Sequence, residues 1–326
     1  MPRFDLDLCE LENYRPEIRE PKDFDEFWRR TLDENVFDSS EICFQKIETS
    51  LKTVEVWDIQ FPGFGGHPIR AWYVFPAGTQ KRLPTIIQFQ GYGGGRGLPV
   101  EHLEWASVGF AHFFMDTRGQ GGTWGSGGVT SDPVGSSSAD QGFMTRGIQN
   151  QDDYYYRRLY VDAHHAVEAA VNLPWTDSTQ LIADGISQGG GLAIAAAVLN
   201  QRTKLALIDV PFLNHFERAV GLSEGTPYDE VVRYLSVRRD CVDRVFKTLS
   251  YFDGANFAKR AKIPALFSTA LLDTVCPPSL VFATKNWWNN AASADIEVYN
   301  FNGHEGGQWH HWQKQIAWLD AHGVRA

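Results

Sequence analysis

Two rhythms of apolar residues run along this chain. Short runs rich in β-branched and aromatic residues recur at Val54–Phe61, Ile69–Phe75, Pro84–Gln90, Phe110–Asp116, Leu181–Ile186, Leu205–Val210, Ala265–Ala270 and Ile296–Phe301. Each has the length of a strand and most are bounded by glycine, proline or polar turn residues. Between most of them the pattern lengthens to helical spacing, over Tyr154–Asn172, Gly189–Asn200, Pro278–Asn290 and Trp309–Ala321. The first two runs are joined by Pro62-Gly63-Phe64-Gly65-Gly66, which reads as a hairpin connection. A hairpin followed by strands alternating with helices predicts an α/β fold, with a mainly parallel sheet covered by helices on both faces.

Two stretches depart from the alternation. Residues 1–50 are charged and read as a helical leader, in which Phe24, Phe27 and Trp28 share one helical face. Between Pro211 and Lys262 the strands stop, and helical patterns appear at Tyr228–Leu235 and Val242–Tyr251. The expected organisation is one domain over residues 1–326. It has an N-terminal extension (1–50) and a helical insertion (about 211–262) standing over the active site.

Composition narrows the function classes. Apolar residues make up 43% of the 326, enough for a sizeable core. Forty acids against thirty lysines and arginines give a net charge of −10, which argues against nucleic acid as a partner. Cys9, Cys43, Cys241 and Cys276 form no CxxC pair, so neither a zinc ribbon nor a disulfide framework is expected. The longest apolar stretch, Gly189–Leu199, falls short of the roughly 20 residues a membrane span needs. The first twenty residues carry acids and no apolar run, so a cytoplasmic location is expected.

The chemistry concentrates in Leu181–Leu199, where a buried strand runs into Gly185-Ile186-Ser187-Gln188-Gly189 and then an alanine-rich helix. This is G-x-S-x-G in a strand–turn–helix context, which lifts a serine hydroxyl out of the sheet as a nucleophile. The competing reading is a glycine-serine turn without chemistry; the strand and helix on either side favour the nucleophile. Such a serine needs a general base and an orienting acid, in the chain order serine, acid, histidine. His304 directly follows the last strand, at the sheet edge where open α/β folds bind ligands. His310 and His311 fall within the last helix and read as packing or solvent-facing. Asp273 and Asp209 both follow or end strands and are candidates for the acid. Asp273 is favoured as the sequential neighbour of the His304 loop.

An oxyanion hole needs preset N–H donors. The backbone N–H of Gln188 is one, and Tyr92 in Gly91-Tyr92-Gly93-Gly94-Gly95-Arg96-Gly97 is the natural second. That glycine loop fails G-x-G-x-x-G, because Arg96 stands at its sixth position. His304-Glu305-Gly306-Gly307-Gln308 likewise misses H-E-x-x-H, so neither a cofactor nor a metal is expected. Trp124, in the loop after Phe110–Asp116, and Pro227, at the start of the insertion, are candidates for the pocket wall, in competition with plain packing roles.

These residues resemble a known family, the acetyl xylan esterases and cephalosporin C deacetylases of carbohydrate esterase family seven. The likeness spans nearly the whole chain. It runs from Glu20-Pro21-Lys22-Asp23-Phe24 through Gly91-Tyr92-Gly93-Gly94, Asp116-Thr117-Arg118-Gly119-Gln120-Gly121 and Gly185-Ile186-Ser187-Gln188-Gly189-Gly190. It continues through Thr248-Leu249-Ser250-Tyr251-Phe252-Asp253 and Cys276-Pro277-Pro278-Ser279 to Gly303-His304-Glu305. The resemblance implies an α/β-hydrolase with Ser187, Asp273 and His304 as its triad and an oxyanion hole from Tyr92 and Gln188. It also implies that Arg118, Gln120 and Glu305 brace the site rather than react. By the same resemblance the chain forms a hexamer that admits small acetylated sugars and excludes polymers. One departure is Gln90, where the family often has histidine before Gly-Tyr-Gly. The expected activity is removal of acetyl groups from xylo-oligosaccharides, with cephalosporin C as a further candidate. A broad short-chain acyl esterase or an oligopeptidase-like hydrolase is the alternative, and a non-catalytic sugar-binding or assembly protein the remaining rival.

Overall fold

Successive residues of a strand point to opposite faces, so a sheet buried on both sides must offer two apolar sets. The central strands do so. Ile87, Ala183, Ala206, Ile208 and Phe267 enter one apolar layer, while Ile86, Ile182, Leu207 and Leu266 enter the other. The computed structural model describes residues 4–134, 142–289 and 293–326. Within them the strands are β1 Cys43–Ile47, β2 Val54–Pro62, β3 Pro68–Pro76, β4 Leu83–Phe89, β5 Ala111–Met115, β6 Thr176–Ile186, β7 Leu205–Asp209, β8 Ala265–Ala270 and β9 Ala294–Tyr299. They form one sheet in the order β1-β2-β3-β5-β4-β6-β7-β8-β9. The pairs up to β3–β5 are antiparallel and those from β5–β4 to β8–β9 are parallel.

The helices are α1 Leu8–Glu12, α2 Phe24–Asp33, α3 Glu104–Ser107, α4 Tyr155–Val171, α5 Gln188–Leu199, α6 Phe216–Leu222, α7 Tyr228–Val237, α8 Val242–Ser250, α9 Gly254–Ala258, α10 Pro278–Trp287 and α11 Gln308–Ala321. α4 and α5 cover the first layer, and Trp105 of α3 with Leu319 of α11 covers the second. α5 is buried along most of its length, as an apolar alanine-glycine helix must be. The stretch between β7 and β8 holds α6 to α9 and no strand, which matches the helical patterns expected there.

The N-terminal region differs from a helical leader. Cys43–Ile47 is a strand, antiparallel to β2 with Lys46 opposite Trp57. It lies at the sheet edge with four of five residues exposed, so burial imprints no alternation on its sequence. α2 does present the expected face. The Trp28 ring stacks on Tyr160 at 5.6 Å, and its Nε1 donates to the Tyr251 carbonyl at 2.9 Å. β6 starts at Thr176, five residues before its apolar part, because Thr176–Gln180 is a polar, partly exposed lead-in. β9 ends at Tyr299, leaving Phe301 in an exposed turn. The expected helix at Pro278–Asn290 closes at Trp287, and Asn290 lies outside the described residues.

The core also holds titratable groups. His112 is fully buried on β5, with Nε2 2.9 Å from Gln88 Oε1 and Nδ1 3.3 Å from the His102 carbonyl. Burial, reinforced by His102, pushes its pKa down to about 3. The folded protein therefore keeps His112 neutral at a pH where the unfolded chain, with an ordinary value near ~6.5, takes up a proton. The stability this neutral histidine contributes is complete above about pH 6.5 and is lost as pH falls toward 3, by up to about 1.4 kcal/mol per unit. Asp253, pushed up to about 6 by burial, titrates in the opposite sense, so a comparison of variants isolates the histidine. We expect the destabilisation caused by His112→Gln to shrink as pH is lowered from 7 to 5. Urea midpoints at three pH values check this, and a pH-independent difference contradicts it.

Candidate active site

The turn after β6 is shaped by collisions that only glycine avoids. A Cβ on Gly185 would sit 2.2 Å from the Gly189 carbonyl carbon, and one on Gly189 would sit 2.1 Å from the Phe89 oxygen. Both partners are backbone and cannot yield. Ser187 between them has φ 57° and ψ −118°, a conformation disfavoured for L-residues and enforced by the packed strand and helix. Gly189→Ala should therefore cost at least ~3 kcal/mol, the upper end of overpacking effects. Urea unfolding tests it, and a shift below about 1 kcal/mol contradicts the packing argument.

The elbow delivers Ser187 to two loops. His304, after β9, places Nε2 2.9 Å from Ser187 Oγ. Its Nδ1 lies 2.8 Å from Oδ2 of Asp273, in the loop after β8. Asp273 is fully buried, and its Oδ1 accepts the backbone N–H groups of Val275 at 2.9 Å and Cys276 at 2.8 Å. With a carboxylate on Nδ1, the imidazole carries its proton there and Nε2 accepts the serine O–H. Asp209, the other candidate, is not part of this chain. It binds Gln315 Nε2 at 2.9 Å and Ser268 Oγ at 3.1 Å, and its Oδ1 lies 2.8 Å from His311 Nε2. His311 accordingly packs rather than facing solvent.

Around the serine, side-chain amides lock the backbone. Gly91 N–H donates to Gln90 Oε1 at 2.8 Å and Gly93 N–H to Gln120 Oε1 at 2.7 Å, so the peptides on either side of the Tyr92 N–H are held. Gln90 Nε2 also donates to the Gly95 carbonyl at 2.8 Å, which clamps the loop from within. The Gln188 side chain accepts from Gln120 Nε2 and Tyr156 Oη, both at 2.9 Å. Gln188 opens α5, where first-turn N–H groups are available to an anion. Arg118 lies one step further out. It is fully buried, forms a two-pronged pair with Asp162 of α4, and its carbonyl accepts from Tyr155 Oη at 2.6 Å. Glu305 is exposed, and its carboxylate accepts from Gly303 N–H at 3.1 Å and Asn302 Nδ2 at 3.0 Å. Its own backbone N–H, with these two donors, holds that carboxyl below the usual range.

Ser187 and His304 open into a cavity of about 590 Å³, walled by Tyr92, Trp124, Pro227 and Val275. Trp124 Nε1 donates to the Tyr92 carbonyl at 2.7 Å. Its ring covers Gly91 and Gly94, and a Cβ on Gly94 would be 2.6 Å from it. The sequence carried no sign of Glu230 on α7. Its Oε1 accepts Tyr92 Oη at 2.6 Å and Gly142 N–H at 2.9 Å, and its Oε2 accepts Met144 N–H at 3.0 Å. Glu230 thereby ties the insertion to the Tyr92 loop. These partners lie 138 and about 88 positions away, beyond any local pattern.

A mainly parallel sheet, a strained serine elbow and a histidine–aspartate pair on the loops after β9 and β8 define the class: an α/β-hydrolase. More narrowly, the chain belongs to the acetyl xylan esterase (AXE1) family, which it matches over residues 1–322. An acetyl xylan esterase from Paenibacillus sp. R4 is 36% identical, with a TM-score of 0.87 over 97% of this chain and 99% of that one. Acetyl xylan esterase 1 from Thermoanaerobacterium sp. JW/SL YS485 is 32% identical, with a TM-score of 0.85 over the same shares. The acetyl esterase Axe7A of Xylanibacter ruminicola is 24% identical over 287 residues, 84% of this chain. The chain spans 61% of that relative's length.

Proposed function

We propose that this protein is a serine esterase that removes acetyl groups from small acetylated sugars, xylo-oligosaccharides above all. The observation that carries the reading is the unbroken Ser187–His304–Asp273 hydrogen-bond chain at the mouth of a cavity of about 590 Å³. Family membership supports the acetyl ester as substrate. His304 Nε2 takes the Ser187 proton as Oγ bonds to the ester carbonyl carbon. The N–H groups of Tyr92 and Gln188 hold the oxyanion, and Asp273 stabilises the imidazolium. The C–O ester bond then breaks, and the sugar hydroxyl leaves with the proton from His304. Water repeats the sequence on the acyl-enzyme and releases acetate. Arg118, Gln120 and Glu305 brace the loops, and Trp124 and Pro227 shape the acyl and alcohol space.

On this reading residues 1–326 act as one catalytic domain, and Glu230 joins the insertion to the Tyr92 loop. A homohexamer with enclosed sites follows from the family resemblance, and light scattering at about six chain masses would support it. Free thiols at Cys9, Cys43, Cys241 and Cys276 favour a reducing, cytoplasmic setting. Among the described residues no helix is long and apolar enough to cross a membrane.

The test is acetate release from acetylated xylo-oligosaccharides, polymeric acetylated xylan and cephalosporin C. Release from the two small substrates, with little from the polymer, is expected. Equal release from the polymer removes the enclosed hexamer. No release from any acetylated sugar overturns the reading.

A further inference from the structure

Beside the catalytic cavity lies a second one, of about 380 Å³, that the hydrolytic steps do not use. Ile186, half exposed between Gly185 and the nucleophile, borders both, as do Gln88 and Glu104. We propose that this second cavity is a saccharide subsite, which holds a neighbouring sugar unit of the oligosaccharide whose acetyl ester lies at Ser187. The proposal rests on the deacetylase reading above.

Three indoles line it. The Trp309 and Trp312 rings lie 5.9 Å apart at 85°, and those of Trp105 and Trp312 lie 5.8 Å apart at 61°. Flat apolar walls at steep angles suit the C–H faces of a pyranose, and a cavity of this size falls in the range of small-molecule sites. Trp309 stands at the rim, 66% exposed.

The polar lining decides between a sugar and an amine. Asp184, Asp209, Glu104 and Glu305 contribute carboxyls, and neither lysine nor arginine joins them among the described residues. That alone would suit an ammonium ion. An ammonium, however, brings donors only. The lining also holds the amides of Gln88, Gln308 and Gln315, which both donate and accept, as sugar hydroxyls require. Two of the four are poor counter-ions, and Glu305 is exposed and already held by Gly303 N–H and Asn302 Nδ2. Burial, with Asp209 and Glu104 nearby, pushes Asp184 well above the usual carboxylate range, and burial raises Glu104 as well. A protonated carboxyl both donates and accepts, as a sugar hydroxyl does. Gln88 Nε2 already donates to Asp184 Oδ2 at 2.7 Å, and Gln315 to Asp209, which fixes both groups in place.

The experiment titrates xylotetraose, which carries no ester, into Ser187→Ala protein by calorimetry. The same titration is made with Trp309→Ala or Trp312→Phe added. Loss of one indole contact should weaken binding by about tenfold for Trp309→Ala. Trp312→Phe, which keeps a ring but shortens the apolar wall, should weaken it less but measurably. In a chain with Ser187 intact, Trp309→Ala should raise KM for acetylated xylotetraose about tenfold and leave p-nitrophenyl acetate hydrolysis unchanged. Unchanged xylotetraose binding in both tryptophan variants overturns the subsite, as does tighter, Trp309-dependent binding of n-butylammonium. Equal losses on p-nitrophenyl acetate and the oligosaccharide overturn it too, because they mark a structural effect. Should acetylated sugars fail as substrates while xylotetraose still binds through Trp309, the deacetylase reading falls and the subsite stands. Should they turn over with the parental KM in Trp309→Ala, the reading stands and the subsite falls.

Discussion

Ser187→Ala protein is expected to unfold at the parental urea midpoint and to lose ester hydrolysis by about 10⁶-fold. Both halves follow from the local geometry. Alanine keeps the Cβ, so the strain at φ 57° is the same before and after the change. The lost Oγ donates to His304 Nε2 at 2.9 Å, across a partly exposed cleft, so the fold loses little with it. On the proposed mechanism the chemistry loses its nucleophile. Cys276 lies beside Ser187, yet burial and Asp273 push its thiol well above the ordinary range, and it stays protonated. The backbone N–H groups of Tyr92 and Gln188 survive the substitution. A residual rate of about 10³–10⁴ over water is therefore consistent with an oxyanion hole that works without the serine. The measurement is p-nitrophenyl acetate turnover beside a urea curve. Retention of about one per cent of the parental rate in a folded variant would remove Ser187 from the mechanism.

The parts of this site that were legible in the sequence are those with local causes. The glycines flanking Ser187 are required by backbone atoms within a few residues or on the adjoining strand, so a five-residue motif carries the whole elbow. His304 and Asp273 were legible through chain order, because consecutive parallel strands deliver their following loops to the same sheet edge. Edge strand β1 was hidden by its exposure, and the first half of β6 by its polarity. The sequence offers Trp124 as a candidate for the pocket wall in competition with a packing role, and its hydrogen bond to the Tyr92 carbonyl joins residues 32 positions apart. Glu230 and the Arg118–Asp162 pair are longer-range still, at 138 and 44 positions. Such contacts depend on how layers dock, which periodicity does not encode. Gln90 gains its meaning the same way. In place of the family's frequent histidine, its amide holds Gly91 N–H and the Gly95 carbonyl, so the loop stays clamped.

Asp273→Asn tests the remaining half of the hydrogen-bond chain, with an expected loss of about 10⁴-fold in kcat/KM. The isosteric amide can keep one set of contacts. Its oxygen fits where Val275 and Cys276 donate their N–H groups, at 2.9 and 2.8 Å from Oδ1. Its NH₂ then meets His304 Nδ1, where Oδ2 accepted at 2.8 Å. Two donors cannot face one another, so the imidazole must move its proton to Nε2. In that tautomer Nε2 donates toward Ser187 and cannot take the serine proton. The loop should hold, since its two backbone bonds survive, and the urea midpoint should shift little. Combining the change with Ser187→Ala should add almost nothing, because the two residues act on one proton transfer and their losses do not sum. Loss of less than about tenfold in the single variant would show that Asp273 shapes the loop without orienting the base. Asp209 could not supply the missing role, because it is engaged by Ser268 and Gln315 and lies against His311 rather than His304.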